Sequence, residues 1–388
     1  MTPTVPATLP APPGEPSVGP ATAISDPAVP HPATSGPATP ESVRAPDPGE
    51  HGFLPERPPV RTMTGTWARL SELAGAAAIA PDRDTARGLV ARAGRDGELA
   101  ALRQRVSRLS PRNADAASLR VAVIAAACGW NALDPLAPAS LRSADEAFLD
   151  LWSAVAHRVD HQQFVALPTL ALLNWAPERK PRRHLPIDQL ARTEALVPVV
   201  RWSPQGQPLA RLDRLMLATT RLEAHGIWLF RLAGSLAGRD PSDASTRTAL
   251  RRLVRIQHAL RAQLRGEAAG LRAAPAPVRH CAVLAGLAAQ GALEPPVFQA
   301  ADAVLGTGRR AGDVSRHQLR RHLPAAHRAR LAALDRHCAP VRTLAYRGGP
   351  DAAVYREAQE SLIALRRTYA GLVRCAAHPD GGRLSAVA

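Results

Sequence analysis

The sequence predicts an all-α fold. Apolar residues recur at spacings of three and four along most of the chain beyond residue 62, the period of one helix face. No strand-length alternating run bounded by hairpin turns occurs, and no repeat recurs at a fixed period. Ala and Leu supply most of an apolar content of 46% in which aromatic residues make up only 4%, and such a composition favours helices.

Taken in order, the elements begin with an exception. Residues 1–62 hold 17 of the 37 prolines, six acidic and three basic residues, and no apolar periodicity. Such a segment cannot bury enough apolar area to offset its ordering entropy, so a disordered Pro/Ala-rich tail is expected there. From Thr66, TWARLSELAGAAAIA and TARGLVARAGRDGELAALRQRVSRL read as two helices split at Pro81-Asp82, a small N-terminal helical segment over residues 63–110. The main domain is expected over 111–388, opening with the helix ADAASLRVAVIAAACGW. Ser143 followed by Glu146 has capping-box spacing. The run it starts, EAFLDLWSAVAHRVDHQQFVALPTLALLNW, is too long for one straight helix, and Pro168 is expected to kink or break it. A polar connector and a turn at Ser203-Pro204-Gln205-Gly206 lead into two long helical stretches, LDRLMLATTRLEAHGIWLFRLAGSLAG and DASTRTALRRLVRIQHALRAQLRGEAAGL. Pro275 and Pro277 interrupt before VRHCAVLAGLAAQGAL. The segments PPVFQAADAVLG, RRHLPAAHRARLAAL and DAAVYREAQESLIALRRTY complete the chain.

The formal charge of +16 raises nucleic-acid binding as a reading. The arginines, however, are dispersed over helix faces, Lys180 is the only lysine, and few aromatics are available to stack on bases. No nucleic-acid partner is expected; the positive surface suits a small anionic ligand equally well. No basic region followed by an apolar one opens the chain, and no run of about 18 apolar residues occurs. A soluble, cytoplasmic protein without a membrane partner is the expectation. Cys128, Cys281, Cys338 and Cys375 are far apart with no CxxC, the usage of reduced, mostly buried thiols.

The C-terminal helix carries the most chemical information. Val354, Ala358, Leu362, Leu365, Tyr369 and Leu372 fall on one stripe, which aims Tyr369 inward. Its hydroxyl then needs a partner, because an unpaired buried polar group costs about 1–3 kcal/mol. Arg366 shares that side of the helix and needs an anion; Asp302 in VFQAAD is the candidate.

VFQAADAVLG, the basic LRRHLPAAHRARL, the late helix ending ALRRTY and the upstream FVALPTLALLNWAP together resemble the indoleamine 2,3-dioxygenase family of haem proteins. The matching pieces thread through about residues 105–378 in the family's order. The resemblance implies a helical haem-dioxygenase-like bundle, iron protoporphyrin as cofactor, an aromatic (indole- or phenol-type) amino acid or derivative as substrate, and dioxygen or peroxide as oxidant, in specialised metabolism. In the family the C-terminal helix supplies a histidine to the iron; the same register here reaches Tyr369. A phenolate is a known haem ligand, and Arg366 and Arg367 are expected to lower its pKa. The other reading is a core tyrosine in a haem-free, non-catalytic binding protein of the same descent. The resemblance also places Thr219 over the iron, with Glu223 four residues on and Leu215 where the family has a Phe. For a substrate carboxylate it offers Arg279, out of the family's register. The family's glycine-rich loop before VFQ shrinks to Gln290-Gly291-Ala292-Leu293-Glu294, so a substrate held as tryptophan is held there is not expected. His157 and His161 have the spacing of two metal ligands on a helix but lack a third; a solvated pair is the expectation. His225, His258, His317, His322, His327 and His337 are alternative iron ligands.

Overall fold

The computed structural model describes residues 51–130, 145–160, 165–179, 185–289, 293–307, 320 and 323–378, with the side chains of 278, 279 and 289 left out. All of these belong to one compact unit. The architecture is all-α, as the periodicity predicts. In chain order the helices are α1 (Ala68–Ile79), α2 (Arg83–Arg95), α3 (Glu98–Arg103), α4 (Pro111–Ala127), α5 (Glu146–Arg158), α6 (Leu167–Leu172) and α7 (Ile187–Thr193). They continue with α8 (Arg211–Leu236), α9 (Ala244–Ala273), α10 (Val278–Ala289), α11 (Pro296–Leu305), α12 (Ala325–His337), α13 (Ala339–Arg342) and α14 (Gly349–Ala377). The sole described sheet is a two-residue antiparallel ribbon, Ala176 opposite Val197 and Pro177 opposite Leu196.

Local signals start and stop these helices where capping chemistry allows. Asp82 caps α2 by accepting from the Thr85 N–H at 2.7 Å, and Ser110 caps α4 with Pro111 at its first position, where the missing N–H is not needed. The cap of α5 is Asp145, which accepts from the Phe148 N–H at 3.1 Å; the expected Ser143 lies outside the described residues. The long run does break. Pro168 stands in the first turn of α6 rather than kinking a continuous helix.

Two expected boundaries move. The tail assigned to 1–62 ends earlier, because Phe53 and Leu54 are buried in the core. Phe53 sets its ring edge against Phe230 and His327 at centroid separations of 4.9 and 5.2 Å. The segment 63–110 is not a separate unit either: α1 packs on α4 and α3 on α5, and one continuous apolar cluster runs from Phe53 to Ala376.

The centre of that cluster is α8. It packs against α6, α7, α9, α11 and α14, and twenty of its residues are buried, including Thr219, Thr220 and Glu223. Two residues set how closely α11 approaches it. Gly226 offers no side chain, and a Cβ there would lie 2.4 Å from Val297 Cγ2. One turn earlier, Glu223 Oε1 accepts from the Val297 backbone N–H at 3.0 Å, satisfying a donor that the start of α11 leaves without an intrahelical partner. Gly226→Ala is therefore expected to destabilise the protein by about 1–2 kcal/mol despite alanine's better helix propensity, since overpacking outweighs it. An unchanged urea midpoint would show that α11 can shift outward without loss.

Candidate functional site

The stripe read from the sequence is the buried face of α14: Val354, Ala358, Leu362, Leu365, Tyr369 and Leu372 are all in the core. This face meets α9, α10 and α11. The adjoining stripe, Arg366, Tyr369, Ala370, Val373 and Arg374, forms one wall of a cleft of about 380 Å³. Ala288 at the end of α10, Leu293, Glu294 and Phe298 form the opposite wall.

Arg366 pairs with Asp302 as expected, Nη1 to Oδ1 at 3.3 Å. The sequence reading missed two other partners. Nε and Nη2 of Arg366 both donate to Glu294 Oε1, at 2.8 and 2.7 Å, and Nη1 donates to Thr307 Oγ1 at 2.9 Å. Thr307 in turn donates to Asp302 Oδ1 at 2.5 Å. Burial works against the Arg366 charge, and Glu294 and Asp302 outweigh it, holding the guanidinium above its ordinary pKa. The local signal for Glu294 was its position just before Pro295-Pro296, which open α11 and aim the preceding residue across at α14.

Tyr369 is 4% exposed, with the Phe298 ring set edge-on at 5.5 Å. Its hydroxyl lies 3.0 Å from Thr219 Oγ1. Thr219 has one proton, and Oγ1 donates it to the Leu215 carbonyl at 2.9 Å, so the Tyr369 hydroxyl must be the donor in their shared bond. Burial pushes the Tyr369 phenol well above its ordinary value; the Thr219 bond offsets part of this, while Glu223 and Glu294 add to it. The lowering expected from Arg366 and Arg367 is not realised. Arg366 is held by carboxylates, and Arg367 is exposed to solvent. Residue 369 is a neutral phenol acting as a donor.

This geometry bears on the haem that the resemblance implies. An iron ligated by Tyr369 and faced by Thr219 would have to lie between two oxygens 3.0 Å apart. Metal–oxygen bonds of about 2.0–2.2 Å on each side already exceed that separation, before a porphyrin plane is added. The pair that would bracket an iron is instead bonded to itself, and the residues do not fit the group in this arrangement.

The remaining candidates separate. Leu215 is fully buried and outside the cleft; its contribution is the carbonyl that fixes Thr219. Arg279 lies on α10, but its side chain is outside the described residues, as are His161, His317 and His322. His225 bonds its own helix through Nδ1 and the Arg221 carbonyl at 2.8 Å. Among the described residues no histidine lines the Tyr369 cleft and no group of three His, Cys, Asp or Glu could hold a metal. The four cysteines are free thiols, and burial pushes those of Cys128 and Cys338 up to about 12, which makes them inert. No described helix is long and apolar enough to cross a membrane.

One charged residue of the cleft was not anticipated although the sequence contained its signal. Arg374 lies eight positions after Arg366, on the stripe facing the cleft, and its guanidinium has no ion-pair or hydrogen-bond partner among the described residues. The cleft is thus an apolar slot with a neutral phenol at its base, a neutralised Arg366 and one free cation. It can accept a flat apolar body and fix one negative charge. The sequence matches no known protein-family model and no characterised protein.

Proposed function

We propose that this chain is a haem-free helical binding protein whose cleft beside Tyr369 takes a small, flat, apolar anion of the aromatic-carboxylate type. The hydrogen bond of 3.0 Å between Thr219 and Tyr369 carries this reading, because it joins the two groups that a haem would hold apart. The ligand class follows from what is left. Leu293, Phe298 and Val373 supply an apolar wall, and Arg374 supplies at the rim a guanidinium without a partner among the described residues, a common arrangement in small-molecule sites. Arg guanidinium binds carboxylates bidentately.

A second reading rests on its own observation. The ion pair of Arg366 with Asp302 joins VFQAAD and ALRRTY, two of the blocks that carry the resemblance to indoleamine 2,3-dioxygenases. A haem-dependent oxygenase acting on an aromatic amino acid would use this pair if α8 and α14 parted at Thr219.

One set of measurements separates the two. Full-length protein from cells supplied with a haem precursor is expected to carry no Soret band, before or after mixing with hemin. Titration with indole-3-propionate is expected to give saturable binding that weakens about tenfold in Arg374→Ala. A Soret band that disappears in Tyr369→Phe would decide for the haem reading instead.

A further inference from the structure

A second cavity of about 220 Å³ lies away from Tyr369, between α4, the end of α5, α6 and α12. Phe53, Pro168, Leu172, Leu173 and Leu323 give it apolar walls. Four polar side chains also line it: Asp115 and Ser118, one turn apart on α4, Thr169 on α6, and His327 on α12, whose ring stands edge-on to Phe53.

Asp115 is unusual for this protein. The chain carries 49 Lys and Arg residues, and among the described residues the buried carboxylates are met by donors. Asp188 pairs with Arg192 and Asp302 with Arg366; Asp213 accepts from the Trp202 and Ala210 N–H groups. Asp115 has no ion-pair or hydrogen-bond partner among the described residues. Burial alone raises its carboxyl, to about 6, which leaves it ionised at neutral pH. The Ser118 and Thr169 hydroxyls also lack protein partners among the described residues. A half-buried charge without a partner is costly; three unused acceptors around one apolar cavity describe a site for a donor from outside.

The chemistry of that donor can be specified. An ammonium has three N–H donors and no acceptor, which matches one carboxylate and two hydroxyls. The volume bounds the rest of the molecule, since an apolar cavity of about 150 Å³ takes a benzene. A benzene-sized ring with a short arm fills this one, and the Phe53 ring in the wall favours an aromatic body.

We propose that this cavity binds a small primary arylalkylamine, its ammonium on Asp115, Ser118 and Thr169 and its ring against Phe53 and Leu172. The assignment is independent of the Tyr369 cleft, which selects the opposite charge.

The test is calorimetric titration of the full chain with 2-phenylethylamine and with its neutral isostere 2-phenylethanol at pH 7.5. The amine is expected to bind saturably and at least tenfold more tightly than the alcohol. Asp115→Asn, which keeps the shape and removes the charge, should bring the amine down to the level of the alcohol. Thr169→Val should weaken the amine by a smaller factor, and Arg374→Ala should leave it unchanged. The unfolding midpoint of each variant checks its fold. Equal binding of amine and alcohol, absence of saturable amine binding, or an amine affinity unaltered in Asp115→Asn would each overturn the proposal.

Discussion

Replacing Arg366 with Leu is expected to lower the unfolding free energy by about 3 kcal/mol, read as a drop in the urea midpoint at unchanged slope. The size follows from what is left behind. The Asp302 side chain is 5% exposed and that of Glu294 18%, so removing the guanidinium strands two carboxylates where water reaches them poorly. Deleting one member of such a cluster costs far more than the cluster contributes as a whole. Two companions sharpen the measurement. Arg366→Lys keeps a charge but cannot reach Glu294, Asp302 and Thr307 together, and an intermediate loss of about 1–2 kcal/mol is expected. Arg366→Met combined with Asp302→Asn and Glu294→Gln should recover most of the deficit, since no buried charge then lacks a counterpart. If Arg366→Leu were as stable as the parent, Glu294 and Asp302 would have to be neutral in the folded state.

Glu223 gives the second large effect, and it depends on pH. Burial raises its carboxyl from the ordinary 4.5 to about 8, and the hydrogen bond from the Val297 N–H offsets part of this. The folded protein therefore holds the proton over a range where the unfolded chain has released it. A carboxyl raised on folding contributes its full stability below about 4.5, and that contribution falls as pH rises through about 8. The slope is about 1.4 kcal/mol per pH unit across this window, a total on the order of 5 kcal/mol. Asp115, raised to about 6, adds a slope of the same sign, so the difference between parent and variant is the quantity to measure. Glu223→Gln keeps an acceptor for Val297 and has no proton to lose. It is expected to be much less sensitive between pH 5 and 8 and to be the more stable protein at pH 8. Parallel stability profiles for the two would mean that Glu223 is ionised in the fold.

Both predictions come from the interface where α8, α11 and α14 meet, and this interface shows how far the sequence alone reaches. The inward aim of Tyr369, the partnership of Arg366 with Asp302 and an interruption of the helical run by Pro168 were all legible. Each follows from a rule acting along the chain: a helix turns by 100° per residue, a charge on an inward face needs its opposite, and a proline cannot continue a helix. Arg374 was legible by the same rule as a cation on one side of the helix, but the cleft that it borders is made by residues of separate helices. The tail boundary was misplaced because Phe53 and Leu54 are two apolar residues in a proline-rich setting, too few to create a periodic pattern. Phe53 finds its surface in Phe230 and His327, which come from distant parts of the chain.

What the sequence determined by itself is therefore direction: which residues are helical, which face is apolar, and which side chains point at one another. The tertiary structure decided distance. That Thr219 and Tyr369 touch, rather than stand a porphyrin apart, depends on how closely α8 and α14 pack. That spacing is set by side-chain volumes contributed from separate parts of the chain, among them the missing side chain of Gly226 against Val297 and the Phe298 ring against Tyr369. Close-packed interiors transmit such volumes over several helices, and no pattern within one helix encodes them. That Asp115 has no partner among the described residues has the same origin, since a carboxylate lacks a cation only relative to what the fold brings near it.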